Sequence, residues 1–341
     1  NYTNSGGTFD EVGITFRFDS NDNSDDTTFS VLGVFNGIVD LAKNSDRRSF
    51  TLASGAIVNM EDMSSNGGPV AVNNGTTMRI ANNIFAAHDF TISGQVYASS
   101  TINLSGDFTL NATGEFFFDG SAMNIVENYT DNGGTFDASA VTVIFEGNSF
   151  NDDTIFNHPG IFDGTVRIAK GESTAFFTIN SGTVKIATST FTGRVTIRSG
   201  SVIETQGNQL TCSGITVESG GTLRLYGTET LTTPVINSGS ILDYYGPATY
   251  TSIKNYSYHN LSFSDGTYNL TSDINAAGDF SNTGAVFNQT AGTTTFTGTA
   301  NTITGDNTFF HLEKSATAAS TLTGGAGDTQ TVLGNRTLTG R

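Results

Sequence analysis

Tryptophan is absent from this 341-residue chain, cysteine occurs once, proline four times, and charged residues make up only 14%. Long helices need Ala, Leu, Glu, Lys and Arg, which are sparse here, so a helical globular enzyme is excluded. The single cysteine, Cys212 in GNQLTCSGITV, leaves no intrachain disulfide, and its strand-like setting suits a small buried residue. The four prolines, Pro69, Pro159, Pro234 and Pro247, are too few to break up stacked strands. No apolar run approaches the ~18 residues of a membrane span. Basic residues number 15 against 32 acidic ones, a net charge of −17. No basic stripe appears, which excludes nucleic acid and anionic membrane as partners. No signal peptide is present, and the chain opens at NYTNSGGTF without Met and in mid-pattern, as a processed or excised piece of something longer would.

What remains is rich in Thr, Asn and Ser, with 40 Gly, 26 Phe, 10 Tyr and an apolar fraction of 36%. That is too much apolar matter for a disordered chain. The composition predicts a folded, all-β protein with very many turns.

A short phrase recurs: Gly, a small polar residue, then β-branched or aromatic residues in alternation. It stands at Gly37, Gly55, Gly75, Gly94, Gly114 and Gly134, with steps of 18, 20, 19, 20 and 20 residues. It resumes at Gly164, Gly182, Gly200, Gly221 and Gly239, with steps of 18, 18, 21 and 18. Such a step holds two or three short strands and their bends. A chain that returns to its start after each step stacks like strands in parallel, ~4.8 Å apart. The fold class predicted is therefore a single-stranded parallel β-helix, a solenoid with coils of about 18–21 residues. A β-sandwich row would need irregular spacing. The residue two after each Gly is expected to point inward: Val39, Ile57, Val96, Phe116, Phe136, Val166, Val184, Val202, Leu223 and Ile241. Alternation in Val166-Arg167-Ile168 and Val184-Lys185-Ile186 sends the charges outward.

A longer repeat overlies the short one. Residues 1–57 align without a gap onto 128–184, and 25 of the 57 pairs are identical. A looser copy starts at Asp279. We read residues 1–341 as one continuous β-helix with internal repeats 1–127, 128–278 and a partial 279–341. Placed end to end, RTLTGR and NYTNSGG reproduce an internal junction, and neither end carries the polar cap a solitary solenoid needs. The expectation is a unit whose end coils, near Asn1 and Arg341, meet other copies of itself head to tail.

Residues able to carry chemistry are few. His158, His259 and His311 each follow an aromatic residue and read as one structural bend position, with His88 standing alone. None has a partner at zinc spacing. Asp19, Asp22, Asp25 and Asp26, within DSNDNSDD, could supply oxygens to Ca²⁺, although the EF-hand pattern fails because Ser24 and Ser30 stand where it needs Gly and Glu. The plainer reading is an acidic, solvated loop, so no cofactor is expected beyond this calcium candidate. No catalytic residue can be named. Glycoside cleavage needs two facing carboxylates, and the basic residues Arg167, Lys185, Arg198 and Arg224 form no recognisable cluster with acids. Ten Asn-x-Ser/Thr sequons are glycosylation candidates: Asn1, Asn74, Asn103, Asn111, Asn128, Asn255, Asn260, Asn269, Asn288 and Asn335.

The repeat style, with GTVTF-like strands, NxGxF and Thr308-Phe309-Phe310-His311-Leu312, resembles that of bacterial and archaeal surface β-helix proteins. Filamentous-haemagglutinin-like adhesins and autotransporter passengers are the familiar examples. The resemblance implies an exported, surface-displayed fibre or adhesin, and it places no functional residues. Three functions compete. The first is a non-enzymatic structural unit of an extracellular filament, sheath or fibre. The second is an adhesin or rod binding surface glycans, favoured by Tyr/Asn/Asp-rich outer positions such as Tyr244, Tyr245 and Tyr250. The third, a polysaccharide-active enzyme, has only the fold in its favour.

Overall fold

The computed structural model describes residues 1–5, 14–20, 26–31, 33–43, 49–53, 55–60, 63–80, 84–120, 122–147, 152–171, 175–316 and 318–339. The described residues contain no helix, and their parallel strands stack as a β-solenoid of about 14 turns. The chain divides into two compact units, Asn1–Phe177 and Thr178–Arg341.

In the first unit each turn contributes three short strands. One turn runs through Phe90–Ile92, Gln95–Ala98 and Thr101–Leu104 before the next begins at Phe108–Leu110. Each strand pairs with its counterpart a turn away, in parallel and in register: Phe90 with Phe108, Val96 with Phe116, Ile102 with Met123. Alternate residues point inward, as a pleated strand requires. Stacked turns therefore build continuous apolar columns, of which Phe90, Phe108, Tyr129 and Phe156 form one. All four are fully buried. Their ring centroids lie 6.2, 5.3 and 4.7 Å apart along the column. Such aromatic neighbours each contribute roughly 0.5–1.5 kcal/mol beyond the area they bury.

The second unit repeats the scheme. Ile203, Leu223, Leu242, Leu261 and Phe280 occupy one inward column. Asn260–Phe263, Thr267–Leu270 and Ile274–Ala276 make the three sides of one turn.

The inward ladder holds at Val39, Val96, Phe116, Val166, Val184 and Leu223, all of them buried. It slips by one residue at three places. Ile57, Val202 and Ile241 are half-buried, and the following Val58, Ile203 and Leu242 take the core position. The recurrent glycines explain the slip, because they serve two neighbouring positions of one tight turn. In Asn73–Thr76, Arg198–Ser201, Glu218–Gly221 and Asn237–Ser240 the fourth residue donates its N–H to the first carbonyl. The third residue is Gly75, Gly200, Gly220 or Gly239, at φ of 77°, 77°, 76° and 84°. This left-handed region costs other residues about 1–2 kcal/mol. The fourth position is crowded instead: a Cβ on Gly221 would lie 2.6 Å from the Ile197 carbonyl oxygen, and one on Gly114, fourth in the turn Asn111–Gly114, 2.5 Å from that of Ile92. Counting from a third-position glycine puts the core residue three places on, and from a fourth-position glycine two. Phe136 is half-buried for another reason: Thr135–Phe136 is the last strand of its sheet.

Turn length varies more than the sequence step. Most turns keep 18 to 21 residues, as the hydrogen bonds Asp107 to Asp89 and Asn124 to Asn103 illustrate. Tyr2 pairs with Phe29 and Tyr129 with Phe156, and the turns there span 27 residues. The two long turns are the same turn in the two copies of the long repeat. The Asn1 side-chain oxygen accepts from the Thr28 N–H at 2.8 Å, and that of Asn128 accepts from Ile155 N–H at the same distance. Likewise Asp26 Oδ1 accepts from the Ser49 N–H and Asp153 Oδ1 from the Phe176 N–H, both at 2.9 Å.

Candidate functional site

The four candidate calcium ligands are not seen as a cluster. Asp22 and Asp25 lie outside the described residues, and so does the side chain of Asp19, which sits in strand Thr15–Ser20. Asp26 Oδ1 receives two hydrogen bonds, from Ser49 N–H and Ser49 Oγ, each 2.9 Å. Among the described residues no group of three or more His, Cys, Asp or Glu is arranged to hold a metal.

The sequons fall into two kinds. Asn1, Asn74, Asn255 and Asn335 are exposed. The other six are half-buried, and their amides run between adjacent turns. Asn124 donates to Asn103 (2.6 Å), Asn111 to Ser93 (2.9 Å), Asn128 to Asp107 (2.8 Å) and Asn288 to Asn269 (3.1 Å), while Asn260 accepts from the Asp279 N–H (2.9 Å). Such stacked amides give each outer strand a second set of bonds along the solenoid axis.

Histidine grouping differs from the sequence reading. His88, His259 and His311 share one position, each lying against a glycine of the next turn: Gly106, Gly278 and Gly334. A Cβ on any of these would come within 2.6 Å of the ring. His158 is the odd one, with Nδ1 3.1 Å from Asp131 and Nε2 3.2 Å from the Ile161 carbonyl.

The tyrosines need a correction. Tyr244 is wholly buried and Tyr250 nearly so, both within the core rather than on the outer face. Alternation around the outward Asp243 sends Leu242 and Tyr244 inward. Tyr244 and Tyr258 exchange a 2.9 Å hydrogen bond through their hydroxyls, and burial raises both pKa values well above the usual tyrosine range. Tyr245 alone of the three is half-exposed.

Tyr245 belongs to the densest charged cluster of the second unit. Glu204, Arg224 and Asp243 stand opposite one another on three successive turns. The Arg224 guanidinium donates Nε–H to Asp243 Oδ2 at 2.8 Å, a second N–H to Glu204, and a third to Ser264 Oγ at 3.2 Å. It also lies over the Tyr245 ring, 4.2 Å from its centroid, and Tyr226 packs edge-on against Tyr245. Burial alone would lower the Arg224 pKa, but Asp243 and Glu204 outweigh it and hold the pKa above its usual value. One guanidinium thus bridges two carboxylates on the turns to either side of its own and clamps the three turns together. The sequence reading missed this cluster, although the charges recur at 20 and 19 residues, the step of the coil itself.

A second outward feature lies on the first unit. Arg79, Tyr97 and Phe117 stand side by side on Thr77–Ile80, Gln95–Ala98 and Glu115–Phe118. Tyr97 and Phe117 are 39% and 38% exposed, and their rings stack at 4.6 Å with 13° between planes. Beside them runs a polar row: Thr77 donates to Gln95 at 3.2 Å, and Gln95 donates to Glu115 at 2.7 Å.

Buried Lys170 donates to the carbonyls of Val126 and Asp152, each at 2.6 Å. Burial pushes its pKa down to about 8, against the upward pull of Asp152, Asp153 and Glu127. Lys314, also buried, donates to the Gly298 carbonyl and the Asn301 side chain.

No family model matches the chain, and neither a curated protein nor a solved structure matches it. Among the described residues no helix is long and apolar enough to cross a membrane.

Proposed function

We propose that this chain is a non-enzymatic structural element of an extracellular filament, sheath or fibre, whose coils continue by stacking onto those of another copy. The carrying observation is the duplication of whole turns, in which residues 1–57 and 128–184 repeat the same inter-turn hydrogen bonds. Strands Thr321–Gly324, Gln330–Val332 and Arg336–Thr339 each pair on one side only among the described strands. Beside them Leu333 and Leu338 are 58% and 66% exposed, in positions that a further turn would cover. Such an edge is covered by a further parallel coil, whether of the same chain or of another copy. Duplication of whole turns, down to the Asn1 and Asn128 hydrogen bonds, supports growth by adding coils. The acidic net charge keeps such an assembly soluble. In this reading the partner is a second copy, met through the end coils near Asn1 and Arg341, the latter outside the described residues. An adhesin-type fibre, as in the surface β-helix proteins that the repeats resemble, is the natural setting.

Electron microscopy of the native material, with the mass of the native polypeptide, tests this. Fibres built from chains near 35.8 kDa support stacking subunits. A far larger mass with fibres replaces non-covalent stacking by coils continued in one chain. A monodisperse soluble monomer of 35.8 kDa from the native source refutes the proposal.

A further inference from the structure

We infer that the outer face around Phe117 is a binding strip for a neutral saccharide. Four observations carry this. Tyr97 and Phe117 stack tightly on each other while remaining more than a third exposed, so two large apolar rings are held rigid at the surface without being covered. Their sheet stops one turn further on. Glu115 pairs with Thr135 and Phe116 with Phe136, but Phe117 has no strand partner on that side. The Phe117 ring face turned away from Tyr97 therefore has no stacked aromatic neighbour in its own column. Next, the polar groups beside the rings suit hydroxyls. The row Thr77, Gln95 and Glu115 offers donors and acceptors one turn apart, and Asp137, the exposed residue after Phe136, adds a carboxylate held by the Ser139 N–H at 3.1 Å.

The fourth observation is the size and charge of the strip. A stable protein interface needs about 800 Å² from each partner, and two half-exposed rings supply far less. Among the described strands of the strip the one cation is Arg79, 6.0 Å from the Tyr97 centroid, against Glu115 and Asp137. With a chain charge of −17, a polyanion is repelled. An uncharged ligand with one apolar face and a rim of hydroxyls fits what is left, and that describes a sugar ring. A linear glycan laid along the stack would meet one rung every ~4.8 Å.

Isothermal titration and tyrosine fluorescence with cello-, xylo-, manno- and β-1,3-gluco-oligosaccharides test the inference, with polygalacturonate as the acidic control. The expected result is binding of at least one neutral oligosaccharide that persists in high salt. Phe117→Ala should weaken it by about tenfold, roughly the loss of one aromatic contact, and Phe117→Tyr should retain it. Both variants alter an exposed side chain, and far-UV circular dichroism checks their fold. No binding by any neutral glycan, binding by Phe117→Ala and Tyr97→Ala as strong as that of the unmodified protein, or preference for the acidic polymer would each overturn the inference. The strip lies on the outer side of a sheet and not on its stacking edge, so it stands or fails independently of filament assembly.

Discussion

Replacing Gly75 and Gly94 by alanine separates two glycine roles, positive φ within the turn Asn73–Thr76 and close approach of the next coil against it. At Gly75 no atom lies within 4 Å of a new Cβ, so the cost is conformational: φ is 77°, and the left-handed region costs an L-residue about 1–2 kcal/mol. At Gly94 the Cβ would stand 2.3 Å from the Asn73 carbonyl oxygen and 2.5 Å from that of Thr76. Both are backbone atoms, so the turn itself must move. Three hydrogen bonds are at stake: Gly94 N–H to Val72 (3.0 Å), Gln95 N–H to Thr76 (2.8 Å) and Thr76 N–H to Asn73 (3.2 Å). At about 1 kcal/mol each, Gly94→Ala should cost roughly 3 kcal/mol. Gly75→Asn should recover part of the Gly75→Ala loss, since Asn tolerates positive φ. Urea denaturation followed by circular dichroism gives the ranking, and amide exchange at Gln95 shows whether the damage is local, which matters because a stacked repeat need not unfold in one step. Equal costs at the two sites, or no advantage of Asn over Ala at Gly75, would refute the assignment of roles.

Arg224→Leu should destabilise the second unit by about 2–3 kcal/mol, because Glu204 and the buried Asp243 lose the cation that joins them; thermal unfolding measures it. Phe108→Ala empties a fully buried place in the aromatic column and should cost about 3–5 kcal/mol by urea titration. Lys170 binds its proton less tightly folded than unfolded, so burying the charge is a penalty at neutral pH. Stability should therefore rise, by about 2 kcal/mol, as pH climbs from about 8 towards 10.5, and Lys170→Met should flatten that rise. Near the upper end the buried tyrosines, whose pKa values are raised, pull stability back down as their unfolded counterparts ionise.

The repeating step was legible because each turn needs a tight bend and an inward apolar residue, and both leave marks in sequence. Val96, Phe116 and Val166 follow directly from that. The position within the bend was not legible. Gly200 and Gly221 look alike in a string of letters, yet one supplies a positive φ and the other lets two backbones approach. Ile203 rather than Val202 faces the core for that reason. The Arg224 clamp and the Tyr97–Phe117 pair also escaped, because their members are neighbours only when the chain is read one turn at a time. Tyr244 and Tyr250 were placed outward from their polar surroundings, whereas pleat parity puts Tyr244 inside and leaves its hydroxyl bonded to Tyr258.

The two 27-residue turns close in parallel register, for Tyr2 meets Phe29 and Tyr129 meets Phe156. A turn of 27 residues is therefore compatible with the stacked register at those two points. Foreign peptides grafted there would be carried by the scaffold at fixed places, and natural variation could accumulate in these slots while the stacked interior stayed constant.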